Sequence, residues 1–111
     1  MIFTNGSVPH AQRVTKQLGI DHLFEGIFDI VAAKFVPKPS PTIYELMVNK
    51  YRVDTRTSVM IDDMAKNLIP AANLGISTVW LRHEKEWSAK DFSAEHIDEE
   101  IDDLKSWLAT V

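Results

Sequence analysis

Short apolar runs rich in β-branched residues recur along the chain and constrain its fold more than any other feature. They lie at 2–3, 27–31, 58–61 and 76–81. Each run is nearly continuous rather than alternating, which is typical of strands buried on both faces. Helical patterns separate the runs, so strand and helix alternate along the sequence. We therefore expect an α/β fold: an open parallel sheet with right-handed crossovers and helices on both faces.

Three helices are predicted between these runs from their capping residues. The first begins after Ser7 and the second after Ser40, because a serine side chain can accept from the free N–H groups of a helix start. The third follows Asp63, with Pro70 in its first turn and its end at Gly75. The residues expected to face the core on the first two helices are Ala11, Val14, Leu18, Ile43, Leu46 and Met47.

Composition and length limit the organisation and the partners of the chain. Residues 1–111 provide for one modest core, and no linker or repeat divides them, so we expect a single domain with a polar loop over 82–93 and a final helix near 102–108. A net charge of −4 argues against a nucleic-acid surface, and no apolar run is long enough to span a membrane. The absence of cysteine excludes disulfides and fits a cytoplasmic protein. A small molecule is therefore the expected partner.

Two predicted loops at strand ends carry groups suited to a phosphate. Thr4, Asn5 and Gly6 close the first run, where a hydroxyl and successive backbone N–H groups can hold a phosphate oxygen. Lys38 stands among three prolines ahead of the second helix, where a cation held in place can neutralise phosphate charge. The structural alternatives are a helix cap with its turn for the first group and a surface lysine for the second.

The strongest chemical signal is the pair Asp62 and Asp63, followed by Asn67. The two carboxylates close a buried apolar run, and the asparagine stands at the head of the next helix. Adjacent like charges repel and lose hydration there, so a bound cation is a natural compensation. Oxygen ligands of this kind suit Mg²⁺, which can bridge to a substrate phosphate. The alternative is that one aspartate merely caps the next helix.

Together, in this order and at these strand ends, the three features resemble the haloacid dehalogenase superfamily of phosphohydrolases. The resemblance implies catalytic roles for Thr4 and Lys38, and phosphate binding by these two residues together with Asn5 and Gly6. It implies a Mg²⁺ ion held by the acidic group, Asp62, Asp63 and Asn67. Within the superfamily, 35–44 and 60–81 look most similar to the pyrimidine 5′-nucleotidase branch.

One departure from that family affects the mechanism. The family's nucleophile is an aspartate of an Asp-x-Asp motif after the first, central strand, and the substrate-selecting cap follows that motif. This sequence contains no Asp-x-Asp, and neither Asp29, expected within a strand, nor Asp21, expected in a turn, offers a replacement. We therefore expect a partial core that begins at the family's second strand, with Met1 an artefactual or alternative start. The sheet would lack its central strand and leave unpaired edges.

The resemblance implies a fragment of a Mg²⁺-dependent phosphomonoesterase, which we expect to be inactive alone because the nucleophile is absent. Its substrate would be a small phosphorylated molecule such as a nucleotide. The alternative from another class is a non-catalytic binding or assembly module that retains the anion pocket. Exposed sheet edges would suit a homodimer in that case. A structural domain with accidental motifs would need three independent coincidences.

Overall fold

The computed structural model describes residues 1–84, 88 and 94–111, and shows an α/β arrangement in which every described strand pair is parallel. The strands are β1 (Ile2–Phe3), β2 (Ile27–Phe28), β3 (Val59–Asp62), β4 (Ser77–Leu81) and β5 (Glu99–Ile101). The helices are α1 (Val8–Gln17), α2 (Pro41–Tyr51), α3 (Ile69–Asn73) and α4 (Leu104–Leu108). The predicted α/β class is confirmed. The loop expected over 82–93 falls mostly outside the described residues.

The strands form two parallel sheets. One pairs β1 with β2, and the other has the order β3, β4, β5. Among the described strands, β1 pairs only with β2 and β3 pairs only with β4, so the second edge of each carries no strand. Residues of both edges line one cavity of about 330 Å³. The sheet is thus divided between β1 and β3, where the sequence predicts an uncovered edge.

The first two helices begin where predicted, but the third does not: a 3-10 turn over Ala65–Leu68 follows Asp63, and α3 begins only at Ile69. The Ser7 side chain accepts from the His10 N–H at 3.2 Å and caps α1, as predicted. Ser40 precedes α2, but its side chain makes no capping bond and lies 3.2 Å from the Thr42 hydroxyl instead. The prediction that Ser40 caps its helix is therefore wrong. Pro70 does lie in the first turn of α3.

The buried faces of the first two helices differ from those predicted. Val14, Leu18 and Leu46 are 41%, 65% and 38% exposed, so their placement in the core is wrong. On α1 the buried positions are Ala11 and Thr15, and the Thr15 hydroxyl is satisfied because it donates to the Ala11 carbonyl at 2.8 Å. Ala11 and Thr15 are four positions apart, so they lie on the same face of α1 and the opposite face is exposed to solvent.

The main core connects the two sheets through α2. Tyr44 and Phe28 are fully buried, and with Ile43 and Met47 they form one cluster. Phe3 of β1 packs edge-on against Phe28 and Tyr44, with ring centroids 5.5 and 5.0 Å apart. Met60 of β3 packs on the same cluster. Side-chain packing therefore joins the sheets where no backbone ladder does.

The run at 27–31 forms a shorter strand than predicted, because Asp29 begins a turn. Its carboxylate accepts from the Ala32 N–H at 2.9 Å and from the Val8 N–H at 3.0 Å. These bonds hold the pKa of Asp29 below its ordinary value, despite the opposing effect of burial. The expectation that Asp29 lies within a strand is wrong.

Within the part of the chain that the structure describes, no helix combines the length and apolar character needed to cross a membrane. The cytoplasmic location stays a prediction.

Candidate functional site

Five of the seven residues singled out from the sequence meet at the carboxyl ends of β1 and β3, whereas Thr4 and Gly6 do not line the cavity there. A cavity of about 360 Å³ opens there, with polar lining from Asn5, Lys38, Asp62, Asp63 and Asn67. Parallel strands bring their carboxyl ends to one edge of a sheet, which is where such folds bind ligands. The topology thus assembles groups that lie more than sixty positions apart in the sequence.

Lys38 is a buried cation that connects the two sheets. Its Nζ donates to Asp62 Oδ2 at 2.8 Å and to the Phe3 carbonyl at 3.0 Å. The same atom lies 4.9 Å from the centroid of the Phe3 ring. The lysine and aspartate side chains are 9% and 7% exposed, so the alternative of a surface lysine does not describe this residue.

The turn after β1 is held by its own polar groups. Asn5 Oδ1 accepts from the Lys38 N–H at 2.8 Å and ties this turn to the proline-rich loop. The Gly6 N–H donates to Thr4 Oγ1 at 3.0 Å, so that amide is already used within the turn. The Thr4 hydroxyl accepts in this bond and keeps its proton as a donor for an anion. The phosphate-binding roles of Thr4, Asn5 and Gly6 stay predictions.

The two adjacent carboxylates have different surroundings. Asp62 accepts from Lys38 Nζ, from the Met64 N–H at 2.8 Å and from Asn67 Nδ2 at 3.3 Å. Burial, followed by the charge of Asp62, raises the pKa of Asp63. One lysine thus faces two carboxylates, and Asp63 is the one whose charge is poorly balanced. An added cation would offset this excess of negative charge.

The donor set fits a hard divalent cation. Asn67 Oδ1 is buried and accepts no hydrogen bond from the described residues, so an acceptor stands unused beside the two carboxylates. Mg²⁺ takes carboxylate and amide oxygens and usually keeps several waters. In the described ranges no cluster of three or more histidine, cysteine, aspartate or glutamate side chains forms a metal site. Water or substrate oxygens would therefore have to complete the coordination here.

Three residues that the sequence patterns miss hold the backbone of these ligands. The Tyr44 hydroxyl donates to the Asn67 carbonyl, and burial raises the pKa of Tyr44 so that it remains a donor. Trp80 Nε1 and Ser88 Oγ both donate to the Asp63 carbonyl. Tyr44 and Trp80 have the pattern of core residues, and Ser88 lies in a polar stretch. No spacing signal identifies these bonds, because each spans at least 17 positions.

Characterised proteins resemble the chain along nearly all of its length. It is 28% identical over 111 residues to glyceraldehyde 3-phosphate phosphatase of Pyrococcus abyssi, covering 99% of this chain and 46% of that protein. It is 26% identical over 108 residues to (S)-2-haloacid dehalogenase 2 of a Pseudomonas species, covering 96% and 47%. The chain thus spans about half the length of these relatives.

A comparison with solved structures and a match to a family model are both consistent with these relatives. The crystal structure of a dehalogenase with an intermediate complex superposes with a TM-score of 0.80 at 19% identity, covering 99% of this chain and 47% of that one. At this identity the match establishes the fold alone. The model of the haloacid dehalogenase-like hydrolases matches residues 1–75, which include both predicted phosphate loops and the acidic group. The chain therefore belongs to the haloacid dehalogenase-like hydrolase family.

Proposed function

We propose that this chain carries the phosphate- and Mg²⁺-binding part of a phosphomonoesterase site. The observation that supports this most is the position of Lys38. Its Nζ lies at the junction of the Phe3 carbonyl and Asp62, beside a cavity that Asn5 and Asp63 also line. A buried ammonium next to two carboxylates suits a site in which both phosphate and a cation must be balanced.

The proposed roles follow from charge and contacts. Lys38 attracts the phosphate of the substrate, and Thr4 donates its hydroxyl proton to a phosphate oxygen, with Asn5 positioning the lysine loop. Asp63 is the principal Mg²⁺ ligand, because Lys38 already balances Asp62. Asn67 contributes its buried Oδ1. When bound, Mg²⁺ would supply positive charge opposite the phosphate oxygens.

The covalent step needs a nucleophile that we do not assign to any residue of this sequence. Asp29 is held by two backbone N–H groups in the turn after β2 and does not line the cavity. We therefore propose that the 111-residue chain binds Mg²⁺ and phosphate but does not release phosphate from an ester by itself.

The proposed substrate class is a small phosphomonoester. The similarity of 35–44 and 60–81 to the pyrimidine 5′-nucleotidase branch supports a nucleoside monophosphate. The phosphatase relative, named for glyceraldehyde 3-phosphate, supports a small phosphorylated molecule more generally. Kinship at the level of the fold does not determine the substrate, so the nucleotide is the narrower proposal.

Isothermal titration calorimetry with Mg²⁺ and with inorganic phosphate tests the binding proposal. We expect Asp63→Asn to abolish Mg²⁺ binding, whereas Asp54→Asn should leave it unchanged. Asp54 is a matched control, since it is an exposed carboxylate that pairs with Arg56 away from the cavity. Equal Mg²⁺ affinities for the two variants would contradict the assignment of Asp63.

Phosphate release from p-nitrophenyl phosphate tests the catalytic part. We expect no phosphate release from this chain with Mg²⁺. Release that depends on Asp63 would show that a nucleophile is present after all.

A second candidate function, favoured by the dehalogenase relative, is that of a haloacid hydrolase. Chloride release from (S)-2-chloropropionate would support it. Anion binding without either reaction would support the non-catalytic module.

A further inference from the structure

We propose that Trp80 is a positioning residue for Mg²⁺ binding, and that it acts on Asp63 through a hydrogen bond to the backbone. The inference rests on the proposed role of Asp63 as the principal Mg²⁺ ligand. Trp80 Nε1 donates to the Asp63 carbonyl at 3.1 Å, and the Ser88 hydroxyl donates to the same oxygen. Neither Trp80 nor Ser88 lines the cavity that Asp63 lines, so both would act on the ion through the backbone of that ligand.

The peptide unit between Asp63 and Met64 is held at both of its ends. Its carbonyl oxygen accepts from Trp80 and Ser88. Its N–H, which belongs to Met64, donates to Asp62 Oδ1 at 2.8 Å. A peptide unit is planar, so bonds at its two ends fix the orientation of the whole plane. Because this plane begins at the Cα of Asp63, fixing it restricts the direction in which the Asp63 carboxylate leaves the chain.

The same peptide unit connects the indole N–H with the second carboxylate. Hydrogen bonds in a chain polarise one another, so a donor at the carbonyl oxygen strengthens the bond that the N–H of that peptide makes. Here the chain runs from Trp80 Nε1 through the Asp63–Met64 peptide to the Asp62 carboxylate. Removing the indole N–H would therefore weaken the bond from Met64 to Asp62 and also loosen the backbone of Asp63.

Packing holds the indole of Trp80 in place. Trp80 lies opposite Asp62 in the register of β3 and β4, and it is 5% exposed. It belongs to a core cluster with Ala65 and Leu68. Because its ring is packed on the protein interior, the N–H is already in position before an ion binds. A donor that is fixed in this way can orient a metal ligand without a further loss of entropy.

The Ser88 hydroxyl links Trp80 to the same carbonyl by a second path. Ser88 is fully buried. Its oxygen accepts from Trp80 Nε1 at 3.2 Å and from the His83 N–H at 3.1 Å, and its proton goes to the Asp63 carbonyl. A hydroxyl has one donor and two acceptor positions, and all three are used here. Trp80 and Ser88 thus position each other as well as Asp63.

Isothermal titration calorimetry with Mg²⁺ separates positioning from a purely structural role. Trp80→Phe removes the N–H and keeps an aromatic ring, and Ser88→Ala removes the hydroxyl with little loss of volume. We expect each variant to bind Mg²⁺ about tenfold more weakly, since loss of a residue that orients a metal ligand typically costs roughly 10–100-fold in affinity. The control is Ile97→Ala, because Ile97 packs against the cluster that contains Trp80. This control should lower stability and leave Mg²⁺ affinity unchanged.

The amide proton of Met64 provides a readout that needs no ion. In the ¹⁵N-labelled protein without Mg²⁺, Trp80→Phe should move the Met64 amide proton upfield, because its hydrogen bond to Asp62 becomes weaker. Ile97→Ala should leave this resonance in place. An unchanged Met64 resonance in Trp80→Phe would contradict the path through the peptide unit.

The affinities distinguish failure of this inference from failure of the proposed Mg²⁺ site. Wild-type affinity in Trp80→Phe, or in Ser88→Ala where circular dichroism shows that Trp80→Phe does not fold, would overturn the inference and leave Asp63 as the ligand. An equal loss of affinity in Ile97→Ala would also overturn it, because packing and not the N–H would then set the affinity. Equal Mg²⁺ affinities for the wild type and Asp63→Asn would overturn the proposed site, and this inference with it.

Discussion

Replacing Lys38 with methionine removes a charge but keeps an unbranched apolar side chain. The Nζ is 2.8 Å from Asp62, and both side chains are less than a tenth exposed. Removing one partner of a buried ion pair typically costs about 3–5 kcal/mol, because the other charge stays buried. Asp62 would keep its bonds from Met64 and Asn67. We therefore expect the free energy of unfolding to fall by the lower figure, about 3 kcal/mol.

Urea denaturation of four proteins measures this effect: the wild type, Lys38→Met, Asp62→Asn and the double variant. The double-mutant cycle separates the pair from the other contacts of each residue. The matched control is Arg56→Met, since Arg56 and Asp54 form a pair at 3.3 Å with side chains 86% and 48% exposed. Exposed pairs contribute little, so this control should change stability by less than about 0.5 kcal/mol.

Two results would contradict a stabilising buried pair. One is that Lys38→Met lowers the free energy of unfolding no more than Arg56→Met does. The other is a double-mutant cycle that shows no coupling between Lys38 and Asp62. Either result would mean that the pair is solvated in solution, and that the two sheets are held at this edge by Phe3 and its aromatic neighbours instead.

Three further changes test local features, each by urea denaturation. Ser7→Ala should lower the free energy of unfolding by about 1 kcal/mol, because α1 loses its cap. Ser40→Ala should lower it by less than about 0.5 kcal/mol, because the Ser40 hydroxyl makes no capping bond. Equal effects of the two substitutions would contradict this difference in capping. Asp29→Asn should cost about 1–2 kcal/mol near neutral pH. Because the folded pKa of Asp29 lies below 3.8, this difference should persist above that pH and disappear as pH falls through the folded pKa; a constant difference would contradict it. Gly26→Ala should cost about 1–3 kcal/mol, because the new Cβ would lie 2.8 Å from Tyr51 Cε1, and Tyr51→Leu in the same chain should relieve part of that cost.

Sequence patterns predict helices and strands correctly where these depend on residues that are close together in the sequence. The Ser7 cap, the position of Pro70 and the strands β3 and β4 depend on neighbouring residues and form as predicted. The expected burial of β3 on both faces is wrong, because Val59 is 52% exposed. The prediction is wrong where a distant group intervenes. The Asp29 carboxylate ends β2 with a local bond from Ala32, three positions on, and a distant bond from Val8, 21 positions away. No local pattern contains the contact with Val8.

The chain's own sequence determined the α/β class, the order of strands and helices, and the residue types at the candidate site, because apolar periodicity and the position of polar groups after each run are local properties. Tertiary structure alone decided that Lys38 is buried against Asp62 and Phe3, that Tyr44 rather than Leu46 fills the core, and that β1 and β3 border a cavity. Each of these depends on how separate elements pack and on which distant atoms satisfy a buried polar group, and spacing along the sequence does not encode either.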